Sequence, residues 1–139
     1  MVIDPGTEVG GRVDARLRDD LVAWLVTVTP DATPVPTPVW FWWDGATILL
    51  YSQPDKPKLR HIAANPRVAV AMRTDPEGDD LAVITGRASV DEAAPTALEL
   101  PAYLDKYRPS IARLGSDPEQ FSREYSVAIR ITPTRLRAW

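Results

Sequence analysis

Lysine occurs only at Lys56, Lys58 and Lys106, and two of the three stand two positions apart. With Arg60 and His61 they make a cationic run, Lys56-Pro57-Lys58-Leu59-Arg60-His61, just behind the polar turn Ser52-Gln53-Pro54-Asp55. The whole chain carries a net charge of -3, so this local excess of positive charge stands out. A helix starting at Lys56 would add free backbone N–H groups to the ammonium groups, and Ser52 a hydroxyl. Together these suit an anion, and phosphate is the natural candidate. The same spacing also describes a solvated helix face, and the residue types alone leave both readings open.

Other chemistries have little to stand on. The absence of cysteine excludes disulfides, thiolate metal sites and a thiol nucleophile. The single histidine, His61, disfavours a His-rich metal site or a Ser-His-Asp triad. Asp19-Asp20, Asp79-Asp80 and Asp91-Glu92 are adjacent pairs at element ends, where neighbouring side chains point apart, so they read as caps and turns. No catalytic residue and no metal ligand is assigned. Lys106 and Tyr107 follow Tyr103 on a helical pattern; a border to a substrate opening is one reading, and a surface helix is the preferred one. The acidic balance, with a pI near 5.1, argues against a nucleic-acid partner. No apolar run approaches the roughly 18 residues of a membrane span, and the N-terminus lacks a basic-then-apolar leader pattern. A soluble cytoplasmic protein is expected, with residues 1–139 forming one domain.

The elements that must position the cationic run follow from periodicity. Val13, Leu17 and Leu21 fall four apart, which predicts an amphipathic helix over 11–20. Residues 22–29 are β-rich, and 35–43 alternate strictly: Val39, Phe41 and Trp43 face one way, Trp40 and Trp42 the other. Pro36 and Pro38 remove donors from one edge of that strand, so its start should lack a partner there. Asp44-Gly45 marks a hairpin turn, and 47–52 supply the return strand. A helix over 56–64 ends at Asn65-Pro66. Strands follow at 68–73 and 81–90, then a helical stretch over 91–114 broken by Pro95, Pro101 and Pro109 into more than one piece. Ser116-Asp117-Pro118-Glu119 has the form of a capping box opening another helix. Residues 126–132 alternate again, and 133–139 read as an edge strand or tail. Six antiparallel strands with helices predict a mainly β protein, a closed or half-closed barrel dressed by helices.

The segment from Thr37 to Val68 also carries a likeness. Val26-Thr27-Val28-Thr29-Pro30-Asp31, Pro36-Thr37-Pro38-Val39-Trp40-Phe41, Asp44-Gly45, Ser52 with Lys58 six residues on, and Asn65-Pro66-Arg67-Val68 occur in order. Gly86-Arg87-Ala88 and the closing Thr132–Trp139 run complete the pattern. It resembles the pyridoxamine-phosphate-oxidase-like split β-barrel family, in particular its actinobacterial flavin/deazaflavin oxidoreductase branch, from about Leu21 to the C-terminus. The resemblance implies a six-stranded antiparallel split barrel, homodimeric, with two cofactor sites at the subunit interface. It implies coenzyme F420, with FMN as the alternative, its ring along the second strand and its phosphate at the turn after the third.

Carried over by position, Pro38, Val39 and Trp40 would border the ring, while Ser52, Lys56 and Lys58, with Arg60 as a weaker addition, would hold the phosphate. The implied activity is hydride transfer from the reduced deazaflavin to a small unsaturated or quinone-like acceptor. An FMN oxidoreductase and a non-catalytic F420- or FMN-binding protein are the alternatives. His61 departs from the family, which commonly has asparagine there, and reads as a structural helix residue. Trp43 is expected to fill the barrel, Trp42 to pack at the dimer interface or under a helix, and Trp139 to make an edge-strand contact rather than reach a partner.

Overall fold

The alternating stretch over 35–43, expected as one strand, is divided. In the computed structural model, which describes Met1–Trp139, β1 (Ala23–Val28) pairs with β2 (Pro34–Val39), and β3 (Trp42–Trp43) pairs instead with β4 (Ile48–Ser52). With β5 (Arg67–Ala71), β6 (Ala82–Val90) and β7 (Val127–Ala138) this makes seven antiparallel strands rather than six, in the order β2-β1-β5-β6-β7-β4-β3. β2 and β3 thus lie at opposite ends of the sheet, although only Trp40 and Phe41 separate them in the chain. Three Cα–Cα steps span at most about 11 Å, so the sheet has to roll until its two edges nearly meet. No ladder joins β2 to β3, and the barrel stays split along that seam.

Proline explains one edge. Pro34, Pro36 and Pro38 alternate along β2, the terminal strand. The residues between them carry the N–H groups of the β1 ladder, and the free edge is left without donors, as expected.

Two apolar clusters flank the sheet. The larger fills the barrel with period-two side chains such as Leu25, Ile48, Leu50, Val70, Ile84 and Ile131, all essentially inaccessible. The helix α1 (Glu8–Asp19) adds Val13 and Leu17 to it. α1 begins earlier than expected because the Thr7 hydroxyl accepts from the Gly10 N–H at 3.0 Å. A Cβ on Gly10 would lie 1.9 Å from the Asp4 carbonyl oxygen, so only glycine fits there. The helix α2 (Pro57–Ala64) contributes Ile62.

β4 is buried at every position: Ile48 and Leu50 face the barrel, Leu49 and Tyr51 the second cluster. That cluster lies under α3 (Pro101–Arg113) and α4 (Pro118–Glu124), with Tyr103, Tyr107, Ile111 and Phe121 at its centre. The proline-rich 91–114 stretch therefore yields one helix. Pro101 opens it and Pro109 lies inside it, while the residues before Pro101 form turns. α4 is capped by Asp117 rather than Ser116; Oδ1 of Asp117 accepts from the Gln120 N–H at 2.9 Å.

β7 is one strand, paired on both sides with β6 and β4, where a strand followed by an edge strand or tail was expected. Its pairing with β6 runs as far as Ala82 opposite Ala138, with a register shift at Thr85/Gly86 that seats Pro133 beside Gly86. Trp139 ends the ladder: its N–H donates to the Leu81 carbonyl at 3.2 Å, and its ring remains 55% exposed beside Arg137. No helix is long and apolar enough to cross a membrane.

Candidate functional site

The Trp40-Phe41 crossing leaves peptide groups outside any ladder, and buried ones need partners. α3 supplies them. The Tyr107 hydroxyl accepts from the Phe41 N–H (2.9 Å) and donates toward the carbonyls of Leu21 (2.7 Å) and Phe41 (3.0 Å). The Lys106 ammonium donates to the carbonyls of Phe41 (3.1 Å) and Leu17 (3.4 Å) and sits 4.0 Å from the Phe41 ring centre. The surface-helix reading of this pair is thus corrected: Tyr107 is fully buried and Lys106 half-buried. Burial pushes the Lys106 amine down to about 8, against an opposing pull from Asp20 and Asp19. Burial also raises the Tyr107 hydroxyl well above the usual tyrosine range, so it stays protonated.

Beside this seam opens a cleft of about 250 Å³. Pro38, Val39 and Trp40 line it from the end of β2, Lys58 from α2 and Tyr51 from β4, while Tyr103, Phe121 and Tyr125 close it from the helical side. Trp40 stacks on Tyr107 (ring centres 5.0 Å, planes 10° apart) and on Phe121 (5.6 Å, 21°). Phe121 in turn stacks on Tyr125 at 4.4 Å. The Tyr51 hydroxyl donates to the Pro95 carbonyl at 2.8 Å, and burial pushes it up to about 12. The cleft is an aromatic slot walled by rings whose planes are already fixed.

Lys58 is the one cation in the lining. It has no carboxylate within ion-pair distance and no hydrogen-bond partner in the chain. Burial, and then the neighbouring Lys56, lower its pKa. A partly desolvated, unpaired ammonium gains most from an anion arriving beside it. α2 starts without a side-chain cap and without an acidic residue in its first turn, which leaves that end open to an anion as well. An aromatic slot ending in one orphan ammonium fits a flat ring that carries a phosphate.

Of the residues singled out in the sequence, the structure brings Pro38, Val39, Trp40 and Lys58 together. Ser52 lies elsewhere: it is 1% exposed, and its hydroxyl donates to the Gln53 carbonyl at 2.8 Å. Lys56 is the exposed N-cap of α2, and Arg60 is exposed with a 3.4 Å contact to the Asp55 carbonyl. Nδ1 of His61 is 2.8 Å from the hydroxyl of Thr27, which is buried, so the imidazole ties α2 to β1. Trp43 fills the barrel as expected, its indole N–H donating to Asp14 at 2.7 Å, and Trp42 packs on the helix-covered cluster. Arg18, followed by Trp43, holds the Asp14 carboxyl below the usual range.

Phe121 and Tyr125 of the helical wall were not singled out, and Tyr103 only beside Lys106 and Tyr107, although the sequence carries a signal for them. Tyr103 with Tyr107, and Phe121 with Tyr125, are aromatic pairs four apart, the spacing that stacks side chains on one helix face.

The model of the pyridoxamine 5'-phosphate oxidase family matches residues 10–139, and the chain belongs to that family. Among solved structures, a candidate pyridoxamine 5'-phosphate oxidase of Listeria innocua is 26% identical, over 92% of this chain and 95% of that one, with a TM-score of 0.66. A protein named F420 reductase is 26% identical over 89% and 94%, with a TM-score of 0.67. A conserved hypothetical protein of Mycobacterium tuberculosis shares the fold, at 21% identity over 96% and 84% and a TM-score of 0.74. No curated protein matches the chain.

Proposed function

We propose that this chain is a coenzyme F420-dependent oxidoreductase, working as a homodimer, that passes hydride from the reduced deazaflavin to a small unsaturated or quinone-like acceptor. The observation that carries the reading is the convergence of Pro38, Val39, Trp40 and Lys58 on one aromatic cleft. The likeness to an F420 reductase over nearly the whole of both chains supports it. Lys58 would hold the phosphate, with Lys56 adding positive charge at the helix start, and Pro38, Val39 and Trp40 would wall the ring. Ser52 and Arg60 stand outside the lining.

When bound, the deazaflavin supplies the hydride chemistry; the chain supplies position, orientation and electrostatics. Trp40, stacked against Tyr107 and Phe121, sets the plane of the wall. Tyr51 and Tyr103 stay protonated at neutral pH because burial raises both hydroxyls. They keep the slot neutral and apolar, and Lys58 is left as its one charged contact. A proton for the reduced acceptor can come from water at the open side.

What one copy lacks supports the homodimer reading. A cleft of about 250 Å³ falls below the roughly 300–1,000 Å³ of pockets that enclose a ligand, so a second copy would complete the enclosure. Leu21 and Trp24, each close to half exposed next to β2, offer apolar surface for it. FMN is the alternative cofactor that membership of the pyridoxamine 5'-phosphate oxidase family leaves open; it too presents a phosphate and a tricyclic ring. Parallel absorbance and fluorescence titrations with F420 and FMN decide between the two. Oxidation of reduced F420 by quinones and other unsaturated acceptors then tests turnover, and tight binding without turnover would make the chain a cofactor-binding protein. Sedimentation showing a stable monomer at micromolar concentration would overturn the homodimer.

A further inference from the structure

Thr27 shares with Ala23 and Leu25 the face of β1 that points into the barrel. It is 2% exposed, and the partner of its hydroxyl is Nδ1 of His61 at 2.8 Å. No other side-chain hydrogen bond links α2 to the sheet; Arg60 reaches only the Asp55 carbonyl in the preceding turn. The remaining side chains that hold α2 to the barrel are apolar, Ile62 and Leu59. Apolar burial is non-directional: it keeps the helix down without fixing its rotation or its slide. α2 is only eight residues long and starts without a side-chain cap, so its own ends add little. The directional bond to Thr27 is what fixes its setting.

That setting matters for Lys58. Lys58 and His61 are three apart in α2, hence neighbours on the helix surface, about 4.5 Å apart along its axis. The Lys58 ammonium makes no ion pair or hydrogen bond of its own, so it stands where the helix puts it. Thr27 lies in the strand whose Ala23 and Trp24 pair with Val39 and Pro38. The His61–Thr27 bond therefore joins the helix that carries the cleft's one cation to the ladder that carries its ring wall.

We infer that His61 and Thr27 are positioning residues, whose hydrogen bond sets the Lys58 ammonium relative to the Pro38–Trp40 wall and so gives the cleft its preference for a ring that bears a phosphate. The inference rests on the reading of this cleft as the cofactor site. Without the bond, the Thr27 hydroxyl is left buried and unanswered, and α2 can turn on its apolar contacts. The ring wall keeps its place, because Trp40 is held by Tyr107 and Phe121. Loss of the bond therefore falls on the phosphate half of the ligand alone.

The test measures, by fluorescence, the affinity of the full-length protein for matched ligands: FMN against riboflavin, and F420 against the deazaflavin that lacks its phosphate. The ratio within a pair reports the phosphate contact. Thr27→Val and His61→Leu remove the bond from either end, and each should cut that ratio about three- to tenfold while affinity for the phosphate-free ligand holds. The amide atoms of asparagine lie as many bonds from Cα as Nδ1 of histidine does, so His61→Asn should retain the ratio, as should Thr27→Ser. In a Lys58→Ala background, Thr27→Val should change the remaining ratio by less than about twofold, since the bond acts through Lys58. The inference is overturned if Thr27→Val and His61→Leu keep the parent's ratio, or if they weaken both members of a pair equally, which would make the bond simply structural. It is equally overturned if folded His61→Asn loses the ratio, a comparison that stands even where the apolar variants fail to fold. Failure of the cofactor reading looks different: Lys58→Ala alone then leaves the ratio unchanged, or no ligand of either pair binds, and this inference falls with it.

Discussion

The barrel interior and the cluster beneath α3 and α4 both exclude water, but they do so with different materials. The interior is almost wholly aliphatic, and its few buried polar groups, such as Thr27 and Ser52, are answered locally by His61 and by the Gln53 carbonyl. The outer cluster is built from Tyr51, Tyr103, Tyr107 and Phe121. Its hydroxyls reach backbone carbonyls on distant elements, and its rings run out into an open cleft. β4 belongs to both, with Leu50 on one face and Leu49 and Tyr51 on the other. The difference teaches a division of labour. Aliphatic side chains with period-two spacing fix the roll of the sheet, whereas aromatic side chains with polar tips fix the seam where the sheet fails to close.

Substitutions on the two sides should separate stability from binding. The largest stability loss belongs to the interior: Leu25→Ala should cost about 2–5 kcal/mol in chemical denaturation, while the folded fraction binds cofactor as the parent does. If cofactor affinity fell with it, the interior and the cleft would not be separable regions. Tyr107→Phe keeps the ring on Trp40 but leaves the Phe41 N–H and the Leu21 carbonyl unanswered. A loss of about 1–3 kcal/mol is expected, together with weaker cofactor binding as the seam loosens. Unchanged stability would show that the clasp is not needed.

Trp40→Ala should weaken cofactor binding more than Trp42→Ala. Both side chains pack on the helical cluster, but only Trp40 lines the cleft. Equal losses of binding and of folded protein would make both simple packing residues. The smallest effect is a pH dependence. Lys106 holds its proton less tightly in the native state, at about 8, than in the unfolded chain, near 10.5. Between those values the unfolded state binds more protons, so native stability rises with pH across the window. Lys106→Met should remove that rise in urea titrations at pH 7.5 and 10; an identical slope in parent and variant would contradict the half-buried ammonium.

Legibility in the sequence follows the same division. The period-two runs and the four-residue spacing of Val13 and Leu17 announced the barrel and its covering helix, because one buried face imposes one period. The split of 35–43 was hidden: Trp40 and Phe41 keep the alternation even though their hydrogen-bond partners change, and periodicity reports facing, not pairing. Asp117 displaced Ser116 as the cap because both residue types serve that role. Among the residues lining the cleft, Lys58 stands out as part of the cationic run, whereas Pro38, Val39 and Trp40 are reached only through the resemblance to the family. The four-residue spacing of Tyr103 with Tyr107 and of Phe121 with Tyr125 marks a shared helix face, but their convergence on the cleft depends on how α3 and α4 dock against β4, which that spacing does not encode.

The most direct measurement is the affinity of F420 and FMN for the parent protein and for Lys58→Ala, read by fluorescence at low and high salt. One charge-assisted hydrogen bond contributes about 1.5–3 kcal/mol, so the variant should bind roughly ten- to a hundred-fold more weakly. Its fold should remain intact, and the gap should narrow at high salt as screening weakens the intact site. If Lys58→Ala binds both cofactors as tightly as the parent, the phosphate is held elsewhere, and the aromatic cleft is not the cofactor site.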